Sequence, residues 1–99
     1  GVIGLTLSAA ASYAGRGIRV NAVAPGLVKS NMTRNLWESA AAESMSSSLH
    51  ALNRLGEPEQ VASMIEWLLH PANDWVTGQV FGVDGGLATV IPRSRQKSG

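Results

Sequence analysis

The chain has no cysteine, only two histidines, one tyrosine and one phenylalanine, and charged residues fill just 15% of its 99 positions. The absence of cysteine excludes a disulfide-stapled miniprotein, a zinc finger, an iron–sulfur site and a thiol nucleophile. His50 and His70 stand without companion ligands, so no metal site is expected. Eight basic against seven acidic side chains leave a net charge of +1. Nucleic acid is held by clustered Lys and Arg, and it is not an expected partner here. Charge is missing altogether from residues 1–15, Arg16 being the first charged side chain. That stretch is too short for a membrane span and is interrupted by Thr6, Ser8 and Ser12. It also lacks the basic leading region of a secretory signal. No membrane partner is expected, and the expected location is cytoplasmic.

What is present is an apolar fraction of 44%, with a length that holds one small domain or a piece of a larger one. The opening Gly1-Val2-Ile3-Gly4-Leu5 has no Ser, Thr, Asp or Asn ahead of it to act as a helix cap. It reads as the interior of a buried helix reaching about Gly15, and the chain reads as a fragment. Gly15-Arg16-Gly17 ends that helix, because glycine takes the left-handed cap conformation without a Cβ penalty. Residues 18–24 are β-branched and mostly apolar, of strand length, and Pro25-Gly26 stops them. Residues 27–35 read as a loop, and residues 36–52, rich in Ala, Ser, Glu and Met, as one or two loosely packed helices.

A firmer helix opens at Gly56-Glu57-Pro58, with proline at its first helical position. Val61, Ala62, Ile65, Leu68 and Leu69 form its apolar stripe, and Pro71 follows its end. His70, in the last turn, suits the negative end of the helix dipole when protonated. Residues 79–84 form a second strand that Gly85-Gly86 terminates. Trp67 and Trp75 read as structural, Tyr13 as a helix-packing residue, Arg16 and Arg19 as solvated or ion-paired. Asn21 reads as a side chain joining backbone segments, and Asp84 as part of a strand-end turn. Residues 92–99, with Arg93, Arg95 and Lys97, form a polar basic tail. Helix, strand, helices, strand is the rhythm of a parallel α/β sheet. The two strands are expected side by side and parallel, joined through the helix near 58–70. Two strands do not make a stable open sheet alone, so Val20, Val80, Phe81 and the first helix are expected to lack cover.

Three blocks carry a family resemblance. Gly17-Ile18-Arg19-Val20-Asn21-Ala22-Val23-Ala24-Pro25-Gly26 resembles the short-chain dehydrogenase/reductase family. So does Arg54-Leu55-Gly56-Glu57-Pro58-Glu59-Gln60-Val61-Ala62, and so does Thr77-Gly78-Gln79-Val80 followed by Val83-Asp84-Gly85-Gly86. Order and spacing follow the family over residues 1–88. The resemblance implies an α/β fold, the C-terminal portion of a Rossmann-like doubly wound parallel sheet. Residues 1–91 would be part of a single NAD(P)-binding domain. The implied activity is hydride transfer between NAD(H) or NADP(H) and a small-molecule carbonyl or alcohol.

By the same resemblance Pro25, Gly26 and Val28 line the nicotinamide, Val28 engaging its carboxamide through the backbone. Ser30, where the family commonly has threonine, hydrogen-bonds the cofactor. Residues 31–52 become the substrate loop, with Met32, Leu36 and Trp37 as lid residues, although plain packing is an equal reading for Trp37. Ser30-Asn31-Met32-Thr33 is similar to a stretch of 3-oxoacyl-(acyl carrier protein) reductases, with Asn31 in place of aspartate. Ala51-Leu52-Asn53 stands where Pro-Leu-Gly is usual.

No catalytic residue is assigned within the chain. Tyr13 is followed four residues later by Gly17, not by the lysine of the family's Tyr-x-x-x-Lys pair. The catalytic serine and the glycine-rich phosphate loop are also missing from the sequence. Gly1-Val2-Ile3-Gly4-Leu5-Thr6 resembles the stretch after the catalytic lysine. The expected lysine lies about two residues before Gly1, with a tyrosine four residues before it to share a helix face. A homo-oligomer, dimer or tetramer, formed through the first helix and the last strand is the expected assembly. The alternative is a truncated, non-catalytic fragment acting only as an interaction or oligomerisation element.

Overall fold

A computed structural model describes residues 1–93, so Arg95 and Lys97 of the expected tail lie outside the described residues. Two compact units are formed, one from Gly1–Pro25 with Glu59–Val83, the other from Gly26–Pro58 with the chain from Asp84 onward.

The first unit contains helix α1 (Val2–Tyr13), strand β1 (Ala22–Pro25) and strand β2 (Val80–Val83). It also holds nearly all of a helix that spans Pro58–Leu69. The strands run parallel, in register Ala22↔Val80 through Pro25↔Val83. Parallel neighbours need a long crossover, and that helix lies between them in the chain. The expected pairing is therefore found, with β1 shorter than residues 18–24. Side chains take over where the ladder stops. Asn21 donates its Nδ2 to the Val76 carbonyl at 3.0 Å, and its Oδ1 accepts the Gln79 N–H at 3.1 Å. The Thr77 hydroxyl accepts the Val20 N–H at 3.1 Å. Main-chain groups bonded to side chains do not extend a strand.

α1 starts without a side-chain cap, and a 3₁₀ turn at Ala14–Arg16 follows it. Gly17 closes the turn at φ +72°, the left-handed position expected of the Gly15-Arg16-Gly17 segment. Only Thr6 and Ala10 of α1 are buried, four residues apart on one face, and Ala10 and Leu7 lie over Gly78. The Thr6 hydroxyl satisfies itself on the Val2 carbonyl at 2.7 Å. Val2, Ile3 and Leu5 are exposed, the last at 72%, and Leu7 is about half exposed beside its contact with Gly78. Exposure of this helix was expected; Val20, Val80 and Phe81 are instead half-buried.

Arg19 is neither solvated nor ion-paired. Its guanidinium donates to the Leu68 carbonyl at 2.8 Å and to the Val76 carbonyl at 3.0 Å. The first of these carbonyls belongs to the last turn of the crossover helix, where a cation complements the helix dipole. His70 departs from its expected part. Its Nδ1 accepts the Ala72 N–H at 3.0 Å and caps a 3₁₀ turn at Pro71–Asn73. Trp75 is 96% exposed and Trp67 about half so, which places neither in a core of the described residues. Tyr13 is likewise partly exposed, with the Arg16 guanidinium 5.8 Å from its ring centroid.

The second unit contains helix α2 (Ala40–Ser48) and ends at Pro58, which opens α3 (Pro58–Leu69). Ser39 caps α2 by accepting the Ala42 N–H at 3.1 Å. The helical region expected over 36–52 thus shrinks to α2, preceded by a 3₁₀ turn at Arg34–Leu36. Ser39 has extended backbone angles, φ −100° and ψ 154°, and so breaks any continuation.

Among the described residues the buried apolar side chains are Ala10, Leu55 and Leu68. With so little apolar burial, the polar ties carry weight. Asn21→Ala removes two of them, and the protein is expected to lose about 1–3 kcal/mol in urea unfolding. An unchanged midpoint would show that Asn21 does not join the segments.

Candidate nucleotide-facing site

The site expected from the sequence begins where β1 ends. Pro25 closes β1 in the first unit and is exposed. Gly26, Val28, Ser30, Met32, Leu36 and Trp37 all belong to the second unit.

Gly26 is pressed onto the Asp84 backbone. A Cβ added at Gly26 would lie 2.9 Å from the Asp84 Cα and 3.0 Å from its carbonyl oxygen. Asp84 cannot yield easily, because its carboxylate accepts the Gly86 N–H at 2.9 Å and the Ala88 N–H at 3.1 Å. That is the strand-end turn expected of Asp84.

The chain then runs beside Gly56. The Leu27 carbonyl accepts the Gly56 N–H at 2.9 Å, and the Lys29 N–H donates to the Gly56 carbonyl at 3.0 Å. Val28 and Gly56 form a parallel bridge. In such a bridge the N–H and C=O of the central residue point away from the partner. Val28 therefore presents a donor and an acceptor side by side on its other flank.

Thr33 organises that flank. Its hydroxyl donates to the Val28 carbonyl at 2.6 Å and accepts the Ser30 N–H at 3.0 Å. The Trp37 indole N–H reaches the same oxygen at 3.2 Å, and the Ser30 hydroxyl lies 3.3 Å from it. Ser30 is exposed, with its hydroxyl at the outer edge of this group. Leu36 and Trp37 are half-buried, and the Lys29 ammonium sits 5.7 Å from the Trp37 ring centroid while pairing with Glu43 at 3.0 Å. Met32 is not gathered into this group, being 94% exposed.

His50 supports the same run from the other direction. It is 1% exposed, and its Nε2 accepts the Leu27 N–H at 3.2 Å. Its Nδ1 lies 3.0 Å from the Ser46 carbonyl, an oxygen that can only accept. Together the two partners require the neutral ring with its proton on Nδ1.

Residues 1–88 match a family model described as enoyl-(acyl carrier protein) reductase. The chain belongs to the short-chain dehydrogenase/reductase family. The 3-oxoacyl-[acyl-carrier-protein] reductase FabG of Thermotoga maritima is 49% identical over 87 residues, which cover 88% of this chain and 35% of that protein. The solved structure of ElxO with NADP bound is 39% identical, covers 90% of this chain and 36% of that one, and superposes with a TM-score of 0.80. A 4-hydroxyisoleucine dehydrogenase complexed with NADH is 32% identical, covers 91% of this chain and 37% of that one, with a TM-score of 0.84. The short-chain dehydrogenase/reductase chain described here spans about a third of the length of the curated relatives it matches.

One departure from the family's pattern has a plain cause. Asn53, where glycine is usual, adopts φ +56°. Asparagine is among the few side chains that visit this left-handed region readily, so it suits the turn found here. Asn31, in place of aspartate, accepts the Arg34 guanidinium at 2.8 Å.

Sequence reasoning missed Thr33 and His50. The Ser-x-x-Thr spacing from Ser30 to Thr33 was a legible turn signal. Nothing in the sequence around His50 announces a buried ring. The sharpest test of the local geometry is Gly26→Ala, which forces a contact with main-chain atoms. It is expected to cost about 1–3 kcal/mol of stability in thermal or urea unfolding; a neutral effect would mean that the Gly26–Asp84 approach is looser than described.

Proposed function

We propose that this chain is the C-terminal part of an NAD(P)-dependent oxidoreductase acting between the nicotinamide cofactor and a small carbonyl or alcohol substrate. The observation that carries this reading is the Val28 peptide. Its N–H and C=O face away from Gly56 and match the acceptor and donor of a primary carboxamide. The residues present therefore fit a nicotinamide. Gly26 sets the course of the wall by its close approach to Asp84, Val28 orients the carboxamide, and the Ser30 hydroxyl supplies a further hydrogen bond at the rim. Pro25, also named by the resemblance, ends β1 and as a proline carries no N–H. When bound, the cofactor supplies the hydride acceptor or donor. The binding of NADP by ElxO and of NADH by the 4-hydroxyisoleucine dehydrogenase supports the cofactor class.

Met32, Leu36 and Trp37 form the substrate lid in this reading. The exposure of Met32 suits a side chain that meets substrate rather than core. Residues 1–91 belong to one NAD(P)-binding domain. The proton-transfer groups are a tyrosine and a lysine in the sequence before Gly1, the lysine's charge lowering the phenol's pKa towards working pH. The protein works in the cytoplasm as a homo-oligomer through α1 and β2. The exposed Val2, Ile3, Leu5 and Leu7 of α1 favour that assembly. They also favour the second reading, a non-catalytic interaction element.

The coding sequence before Gly1 and a nucleotide titration separate the two. The enzyme reading expects Tyr-x-x-x-Lys with the lysine about two residues before Gly1, a glycine-rich loop further upstream, and saturable binding of NADH or NADPH. Ser30→Ala should weaken that binding by about 0.5–1.5 kcal/mol. A different residue at the tyrosine or lysine position, with no nucleotide binding by the protein, would leave the interaction element as the function.

A further inference from the structure

Histidine is the side chain whose charge ordinarily changes between about pH 5 and pH 8, and His50 is buried, at 1% exposure. Neither its type nor its burial is required by the cofactor contacts just described. Its two ring bonds explain why it is there. The Ser46 carbonyl in α2 takes the Nδ1 proton, which leaves the Nε2 lone pair aimed at the Leu27 N–H. The ring thereby links α2 to the peptide that precedes Val28. The other side of the ring is closed by the turn after β2: a Cβ at Gly85 would lie 3.5 Å from the His50 Cβ and 3.7 Å from Cδ2. Next in the chain, Leu52 donates its N–H to the Gly85 carbonyl at 3.0 Å, which holds the ring's own segment against that turn.

We propose that His50 is a positioning residue for the nicotinamide wall, and that its protonation releases the wall. The proposal rests on the cofactor reading above. A proton on Nε2 puts two donors face to face, His50 Nε2–H and Leu27 N–H, and the bond between them is lost. Leu27 then keeps only its carbonyl bond to Gly56, and the direction in which the Val28 N–H and C=O face is no longer held from both sides. Charged side chains of the same unit make bonds of their own. Glu43 on α2 pairs with Lys29 of the nucleotide-facing run. Asp84 is bonded to the Gly86 and Ala88 N–H groups, and Arg54 donates to the Leu55 carbonyl at 3.2 Å.

The test is the affinity of the intact protein for NAD⁺, which is stable in acid, measured by calorimetry from about pH 8 to pH 5, the range of ordinary histidine titration. Wild type is expected to bind roughly three- to tenfold more weakly at the acid end, the equivalent of one hydrogen bond. His50→Gln supplies an Oε1 that accepts the Leu27 N–H and does not titrate, so its affinity is expected to be level across the range. His50→Ala is expected to bind weakly even at the alkaline end. In wild type the Leu27 amide resonance should move with pH along the same curve as the affinity, a readout that needs no variant to fold. Binding that is level with pH in wild type, a pH dependence retained in His50→Gln, or a Leu27 amide that does not move, would each overturn the proposal. Absence of NAD⁺ binding at every pH would instead remove the cofactor reading, and the inference with it.

Discussion

Two main-chain hydrogen bonds to Gly56 decide which way the Val28 peptide groups face. They bond the carbonyl before Val28 and the N–H after it, at 2.9 and 3.0 Å. That leaves the Val28 groups no choice but the opposite flank. Gly26 fixes the start of this run by its contact with the Asp84 backbone, and Thr33 fixes its far end through the Val28 carbonyl. The donor–acceptor pair that suits a carboxamide is thus a by-product of how the segment is anchored, not of any special side chain. Its consequence is that side chains along residues 27–30 can vary while that donor–acceptor pair persists.

The same economy appears in each unit taken by itself. In the first, Asn21, Thr77 and Arg19 bond to main-chain groups that no ladder or helix partner reaches. In the second, His50, Thr33 and Asp84 do so. Each such bond contributes on the order of 1 kcal/mol, and leaving its main-chain partner buried and unpaired would cost more. With Ala10, Leu55 and Leu68 as the buried apolar residues, these ties and the parallel strand pair hold the described residues in place. The apolar side of α1 contributes little to them. Its large side chains face outward, where a partner surface would gain their burial.

The large elements were legible because their signals are local. Pro58 at a helix start, Gly17 at a helix end and the apolar runs of β1 and β2 each announce themselves within a few residues. The three family-like blocks then placed Gly26, Val28 and Ser30 along one run, and the structure keeps them on that run. The illegible parts depend on partners distant in sequence. β1 loses residues 18–21 because Val76, Thr77 and Gln79 take up the polar groups of Val20 and Asn21. His70 caps a 3₁₀ turn because Ala72 offers its ring an N–H. Trp75, read as structural, is exposed. His50 was read only against metal binding, and no spacing along the chain hints that its ring meets Leu27 across 23 positions.

The central claim is that the Val28 peptide recognises a carboxamide, and one comparison of ligands tests it most directly. NAD⁺ and nicotinic acid adenine dinucleotide differ only in that the second carries a carboxylate, which accepts hydrogen bonds but cannot donate to the Val28 carbonyl. The account predicts that the intact protein binds NAD⁺ about tenfold or more tightly than the carboxylate analogue. It also predicts that the Val28 amide resonance shifts when NAD⁺ is added. Equal affinity for the two dinucleotides, with the Val28 amide unmoved by either, would contradict it.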